Sequence, residues 1–202
     1  MFRNIPEQGH YEYLAFCNFY SKEIQVLAFD EYIEIKLAYL KALFHLEKAQ
    51  LFHKISNQAI FEILNQEEFT EHYKIIYHQI LVIKAEQLIE ENKILAAQEV
   101  YINLRLLAPE DDHIKRRLFN LIYKQEQYEA RVYLGISVLF LIITLFLGIS
   151  NHFFIQPLLP KMKETFDKVL PFFFAIPILI ILFSYSYAFI RSKKKLISIS
   201  QR

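Results

Sequence analysis

The chain is poor in the residues that catalysis and nucleotide binding most often need: of 202 residues, one is cysteine, three are glycine and none is tryptophan. Cys17 has no second thiol to join in an internal disulfide or a CxxC metal or redox motif, so it reads as a small apolar side chain turned toward a core. Gly9, Gly135 and Gly148 lie far apart, which excludes the glycine-rich loops that cradle phosphates in P-loop and dinucleotide folds. No two of His10, His45, His53, His72, His78, His113 and His152 are four residues apart, and no HExxH is present, so the spacing for a helical metal site is missing. Glu68, Glu71 and His72 cluster on one stretch and read as solvated or capping groups. No nucleophile elbow occurs. From this we expect no catalytic, cofactor-binding or metal residue, no cofactor and no enzymatic activity.

Charge is divided along the chain. Residues 1–131 carry 15 Lys and Arg against 20 Asp and Glu, whereas residues 132–202 carry 8 against 2. A mildly acidic N-terminal part has no basic stripe for phosphate backbones, so nucleic acid is not an expected partner.

What the chain does have is apolar length. Residues 132–149 run 18 positions without a charge, about 27 Å as a helix against a hydrocarbon core of roughly 30 Å. A second uncharged run, 170–190, is 21 residues long and includes Phe172, Phe173 and Phe174. These predict two transmembrane helices joined by an extracytoplasmic loop, 150–169, in which 152–160 is apolar enough to rest on the far interface. Neither run holds an ionisable side chain, so the pair alone is a poor ion or proton path. Pro171 suits a first helical turn and Pro177 a kink. Ser184 and Ala188 give one small-xxx-small spacing that would let another helix approach.

Basic residues flank both runs. Lys115, Arg116, Arg117, Lys124 and Arg131 precede the first; Arg191, Lys193, Lys194, Lys195 and Arg202 follow the second, while the loop has Lys161, Lys163 and Lys168 partly offset by Glu164 and Asp167. Retention of such residues on the cytoplasmic side predicts an integral membrane protein with both termini cytoplasmic, in the inner membrane if bacterial. The first residues lack an apolar h-region, so no cleavable signal is expected. The tail 191–202 would lie against the inner leaflet.

Between Gly9 and Pro109 neither glycine nor proline occurs over 99 residues, which removes the punctuation of strands and predicts an all-α domain over 1–131. Ile33, Leu37, Leu40, Phe44, Leu51 and Ile55 keep a three-and-four spacing, with Glu34, Lys41, His45 and Lys48 opposite: one long amphipathic helix, or two with a gentle break. Further breaks are expected at Ser21, at Ser56 with Asn57, at Asn65 with Glu68 as a capping box, at Asn92, and at 109–112.

Within 78–111, a unit of 34 residues, Ala85, Asn92, Ala97, Tyr101 and Pro109 stand where a tetratricopeptide repeat has a small contact residue, a turn residue, a second small residue, an aromatic and a closing proline. This stretch resembles that family. Independently of the name, Ala85 and Ala97 allow close helix approach, and Ile94, Ala97, Tyr101 and Leu104 form one stripe. The pattern departs at Lys84 and Leu104. A following unit starts with Asp112 as cap, and 125–130 resembles its turn with Ala130 in the small position, so that a helix from near Tyr128 would enter the first span.

The apolar runs, flanking charges and helical pattern together predict an all-α cytoplasmic domain ahead of a two-helix transmembrane hairpin, and the resemblance implies that the domain is helical-repeat-like. Its expected function is a membrane-anchored adaptor that takes a peptide or helix of a protein partner in the repeat groove. The competing expectation is an oligomeric membrane-active or channel-forming subunit, with homo- or hetero-oligomers formed through the transmembrane helices in the lipid bilayer.

Overall fold

The computed structural model is all-α, with 87% of the chain helical and no strand among the described residues, which leaves little backbone for anything but connectors. It describes residues 2, 5, 6, 8–150, 152, 153 and 160–200, the side chains of 160–164, 166 and 200 excepted. The expected interfacial stretch at 154–159, Arg202 and the side chains of Lys161, Lys163 and Glu164 lie outside that set. Two compact units follow one another, Met1–Arg117 and Leu118–Arg202.

The first unit holds α1 (His10–Phe19), α2 (Ser21–Gln25), α3 (Phe29–His45), α4 (Ala49–Leu64), α5 (Glu71–Glu90), α6 (Ile94–Leu107) and the opening turns of α7 (Asp112–Ser150). α1 packs on α3, α3 on α4 and α5, α4 on α5, and α5 on α6. The expected apolar stripe supplies the core: Ile33, Leu37, Leu40 and Leu43 of α3 meet Phe52, Ala59 and Ile63 of α4 and Ile76 and Ile80 of α5, with Phe44 and Ile55 against the edge. Leu51, assigned to the same stripe, is exposed instead.

The break in that stripe is sharp. Leu46 N–H donates to Ala42, Glu47 N–H to Phe44, and Lys48 N–H reaches five residues back to Leu43 at 3.0 Å, while Glu47 takes φ 55°. This is a Schellman end, whose left-handed residue is ordinarily Gly or Asn. The same three bonds recur 45 residues on, from Glu91, Asn92 and Lys93 to Gln87, Ile89 and Leu88, with Asn92 at φ 59°. Asn92 was legible as a turn; Glu47 was not, because nothing in its side chain favours positive φ.

Other expected boundaries move. α4 passes straight through Ser56 and Asn57, since the buried Ser56 hydroxyl donates to the His53 carbonyl at 3.2 Å and so needs no break. Asn65 ends α4, and Thr70, not an Asn65–Glu68 box, starts α5 by accepting from Tyr73 N–H at 3.3 Å. Asp111 caps α7, taking the N–H groups of His113 and Ile114 at 2.8 and 3.3 Å, in place of Asp112. No turn interrupts 125–130, which lies within α7.

The second unit is an antiparallel hairpin of the rest of α7 with α8 (Pro160–Ser200). Helix begins at Pro160 inside the segment expected as loop, so Pro171 and Pro177 are both interior rather than one of them initial. Contacts descend one helix as they ascend the other: Gly148 near Leu170, Phe140 stacked with Phe173, Phe119 edge-on to Phe189. Two helices are long and apolar enough to cross a membrane, and only 11% of the most apolar stretch of each is buried.

Polarity in this hairpin is inverted relative to a water-soluble core. Ser137 and Thr144 are 0% exposed and Ser184 6%, whereas Phe146 is 69% and Phe183 73% exposed. The enclosed hydroxyls of Ser137, Thr144 and Ser192 each donate to the carbonyl four residues earlier, at 2.9, 2.8 and 2.7 Å, which satisfies them within their own helix. Thr144 does more. Pro177 lacks the N–H that would bond Phe173, and Thr144 Oγ1 lies 3.5 Å from that freed carbonyl. The small-residue spacing of Ser184 and Ala188, extended by buried Ser192, therefore serves packing against α7 of the same chain.

Two outcomes follow. Glu47→Gly should raise stability by about 1 kcal/mol by relieving the left-handed residue, measured by denaturant unfolding of the full chain in mild detergent; an unchanged or lowered midpoint contradicts the turn geometry. Thr144→Val should cost about 1 kcal/mol of hairpin stability in an SDS titration and Ser137→Ala distinctly less, because only Thr144 reaches the other helix.

Candidate functional site

In the first unit, α3, α5 and the start of α7 border an open cleft of about 320 Å³, lined by Lys41, His78, Gln79, Val82, Ile83, Asp111, His113 and Ile114. Its shape follows from the caps. Asp111 commits its carboxylate to the α7 N-terminus, and Ile114, 2% exposed, anchors that turn so that His113 sits at the cleft. Lys41 is exposed, and the His78 Nε2 atom is enclosed without a partner. Apolar Val82 and Ile83 beside Lys41 and two imidazoles make a surface suited to a peptide with apolar and acidic groups.

Of the residues selected in the sequence, Ala85, Asn92, Ala97, Tyr101 and Pro109 belong to the first unit. Ala85 and Ala97 are 0% and Tyr101 1% exposed, and α5 with α6 forms the expected helix–turn–helix, closed by Asn92 and followed by Pro109 in the turn before α7. The Tyr101 hydroxyl donates to Glu86 at 2.8 Å, and Arg117 lies 3.6 Å from the same carboxylate. Burial, then the hydrogen bond to Glu86 and its charge, push the Tyr101 pKa up. The departures from the repeat pattern have places too: Lys84 reaches Asn57 of α4 at 2.7 Å, and Leu104 is fully buried. Arg116 is exposed on α7. Ala130 lies in the second unit instead, beside Ser184 and Ala188.

No protein-family model, curated protein or solved structure matches this chain. Function must therefore be argued from its own groups.

Three polar clusters were not singled out in the sequence. Lys36, its side chain 9% exposed, pairs with Glu62 at 2.5 Å, and the Tyr32 hydroxyl lies 3.0 and 3.1 Å from the two Glu62 oxygens. Burial lowers the Lys36 pKa although Glu62 opposes it, and burial with the Glu62 hydrogen bond raises that of Tyr32. The cluster joins α3 to α4. His53 of α4 meets Glu91 at 2.6 Å, where Lys93 at 2.6 Å and Gln87 at 3.0 Å also converge. In the second unit Glu126, its side chain 2% exposed, pairs with Arg191 at 3.1 Å and with Lys195, and Glu129 with Arg191 at 3.1 Å. Glu126 and Glu129 at one spacing and Arg191 and Lys195 at another signal this clasp once the basic tail is drawn as helix; Lys193 and Lys194 remain exposed. Cys17 packs partly buried against the core, and burial pushes its thiol up to about 12, far from the thiolate that reactivity needs.

The Glu91 junction yields a pH prediction. Burial of its carboxyl opposes ionisation, but hydrogen bonds from Lys93, His53 and Gln87 outweigh this and pull its pKa from 4.5 down to about 2. A depressed folded-state value means that the stabilisation is present above the unfolded value near 4.5 and lost as pH falls toward 2. Glu91→Gln should lower stability at pH 7 and flatten its decline between pH 5 and 2, read by thermal unfolding across pH; parallel curves for the two proteins contradict it.

Proposed function

We propose that this protein is a membrane-anchored helical-repeat adaptor. The α7–α8 hairpin crosses the bilayer with both termini cytoplasmic. The preceding helices hold a peptide or helix of a protein partner in the cleft of α3, α5 and α7. The carrying observation is the inverted polarity of the hairpin, with Phe146 and Phe183 outward and Ser137 and Thr144 inward. A water-soluble helix pair would place these the other way round, and association in lipid relies on small and hydroxyl residues at the seam.

The repeat character is supported by the two matching Schellman turns. Burial follows the same shift of 45 residues, pairing Leu40 with Ala85, Leu43 with Leu88, Phe52 with Ala97 and Ala59 with Leu104, all of them buried. In this reading α3–α4 and α5–α6 are successive units, with a spacing longer than the roughly 34 residues of a tetratricopeptide unit.

Two steps test the proposal. The full chain should stay with membranes after alkaline carbonate washing. A photo-crosslinking side chain at Val82 should then capture one discrete protein, with Lys41→Glu weakening the capture about tenfold if the partner is acidic. Recovery in the supernatant, or labelling at Val82 no different from that at exposed Glu90, contradicts it.

A further inference from the structure

One buried hydroxyl of the hairpin is unlike the rest. Ser137, Thr144 and Ser192 each bond a carbonyl of their own helix, but Ser184, 6% exposed, has an enclosed Oγ with no partner. An unsatisfied hydroxyl away from water costs about 1–3 kcal/mol, which an incoming acceptor would recover. Ser184 borders a cavity of about 450 Å³ on one flank of the hairpin, whose walls include Tyr133, Phe183 and Tyr187 and whose mouth carries Glu129 and Arg191. The cavity is graded along the helix axis. Charge stands at Arg191, aromatic rings follow at Tyr187 and Phe183, and the end at Ile180 is apolar.

We propose that this cavity binds one zwitterionic phospholipid with an ammonium headgroup, of the ethanolamine or choline type. This inference rests on the membrane reading above. Glu129 and Arg191 form an ion pair at 3.1 Å with side chains 48% and 43% exposed, so Glu129 can turn outward while Arg191 Nε stays on Glu126 at 3.1 Å. A partner bearing both charges replaces that pair without leaving net charge. Its phosphate accepts from the Arg191 guanidinium, and its ammonium lies against Glu129 and the faces of Tyr133 and Tyr187, the carboxylate-and-aromatic combination that favours organic cations. An ester carbonyl accepts from Ser184, and one acyl chain follows Phe183 and Ile180. An anionic lipid is disfavoured because Glu126 and Glu129 both line the cavity, and like charge at close range works against the wrong ligand.

The test uses the full chain reconstituted in vesicles containing equal parts of phosphatidylethanolamine, phosphatidylcholine and phosphatidylglycerol, extracted gently and examined by intact-complex mass spectrometry. One zwitterionic lipid should be retained per chain, about tenfold over phosphatidylglycerol. Glu129→Gln should erase that preference, and Ser184→Ala should reduce retention about fivefold, while both variants still float with the vesicles. Equal or greater retention of phosphatidylglycerol, or an unchanged preference in Glu129→Gln, overturns the lipid site while leaving the membrane anchor standing. Failure of the unsubstituted chain to float with vesicles of any composition overturns both.

Discussion

A bilayer core offers no hydrogen bonds, so a hairpin placed there must satisfy every polar group internally. The second unit meets much of that constraint, with the enclosed Ser184 hydroxyl as an exception. The enclosed hydroxyls of Ser137, Thr144 and Ser192 bond their own helices. Where Pro177 removes a donor, the opposing helix brings Thr144 to the carbonyl left over. Ion pairs join the two helices near the Glu126 and Arg191 end of the hairpin. Large apolar side chains face outward because the small ones fill the seam.

The first unit meets a different constraint with the same economy. An antiparallel helix pair needs an abrupt reversal between its members, and both reversals use one bond pattern that leaves a single residue at positive φ. Behind each reversal a small or flat surface admits the neighbouring helix: Ala59 in one hairpin, Ala97 in the other, each fully buried. Polar links between layers, Lys36 to Glu62 and His53 to Glu91, tie helices whose apolar contacts alone would allow sliding. Breaking one partner of the first pair leaves a charge enclosed, which is why such pairs fix register more than they add stability.

Helix content, the apolar runs and the α5–α6 hairpin could all be read in the residues, since glycine and proline are missing from 10–108 and Asn92 marks its own turn. The turn at Glu47 could not, because its conformation is imposed by the packing of Leu43 and Phe52 on either side. The matching turn lies 45 residues before Asn92, a spacing that a unit of about 34 residues does not reach. Caps were misplaced by one to five residues, at Asp111 and Thr70, where a neighbouring acid or asparagine was equally plausible from spacing. The ionic clasp at Glu126 was hidden because the tail 191–200 was read for its charge and not as helix, whereas it is helix and Arg191 and Lys195 reach Glu126 and Glu129 of α7.

Lipid contact along the outward faces is most directly measured by spin labels on single cysteines in a Cys17→Ser background, at Leu139, Phe146, Leu179 and Phe183, with the chain in vesicles. All four positions should collide readily with dissolved oxygen and scarcely with a water-soluble nickel complex, as expected of side chains in hydrocarbon. Strong collision with the nickel complex at these positions would contradict a lipid-solvated hairpin.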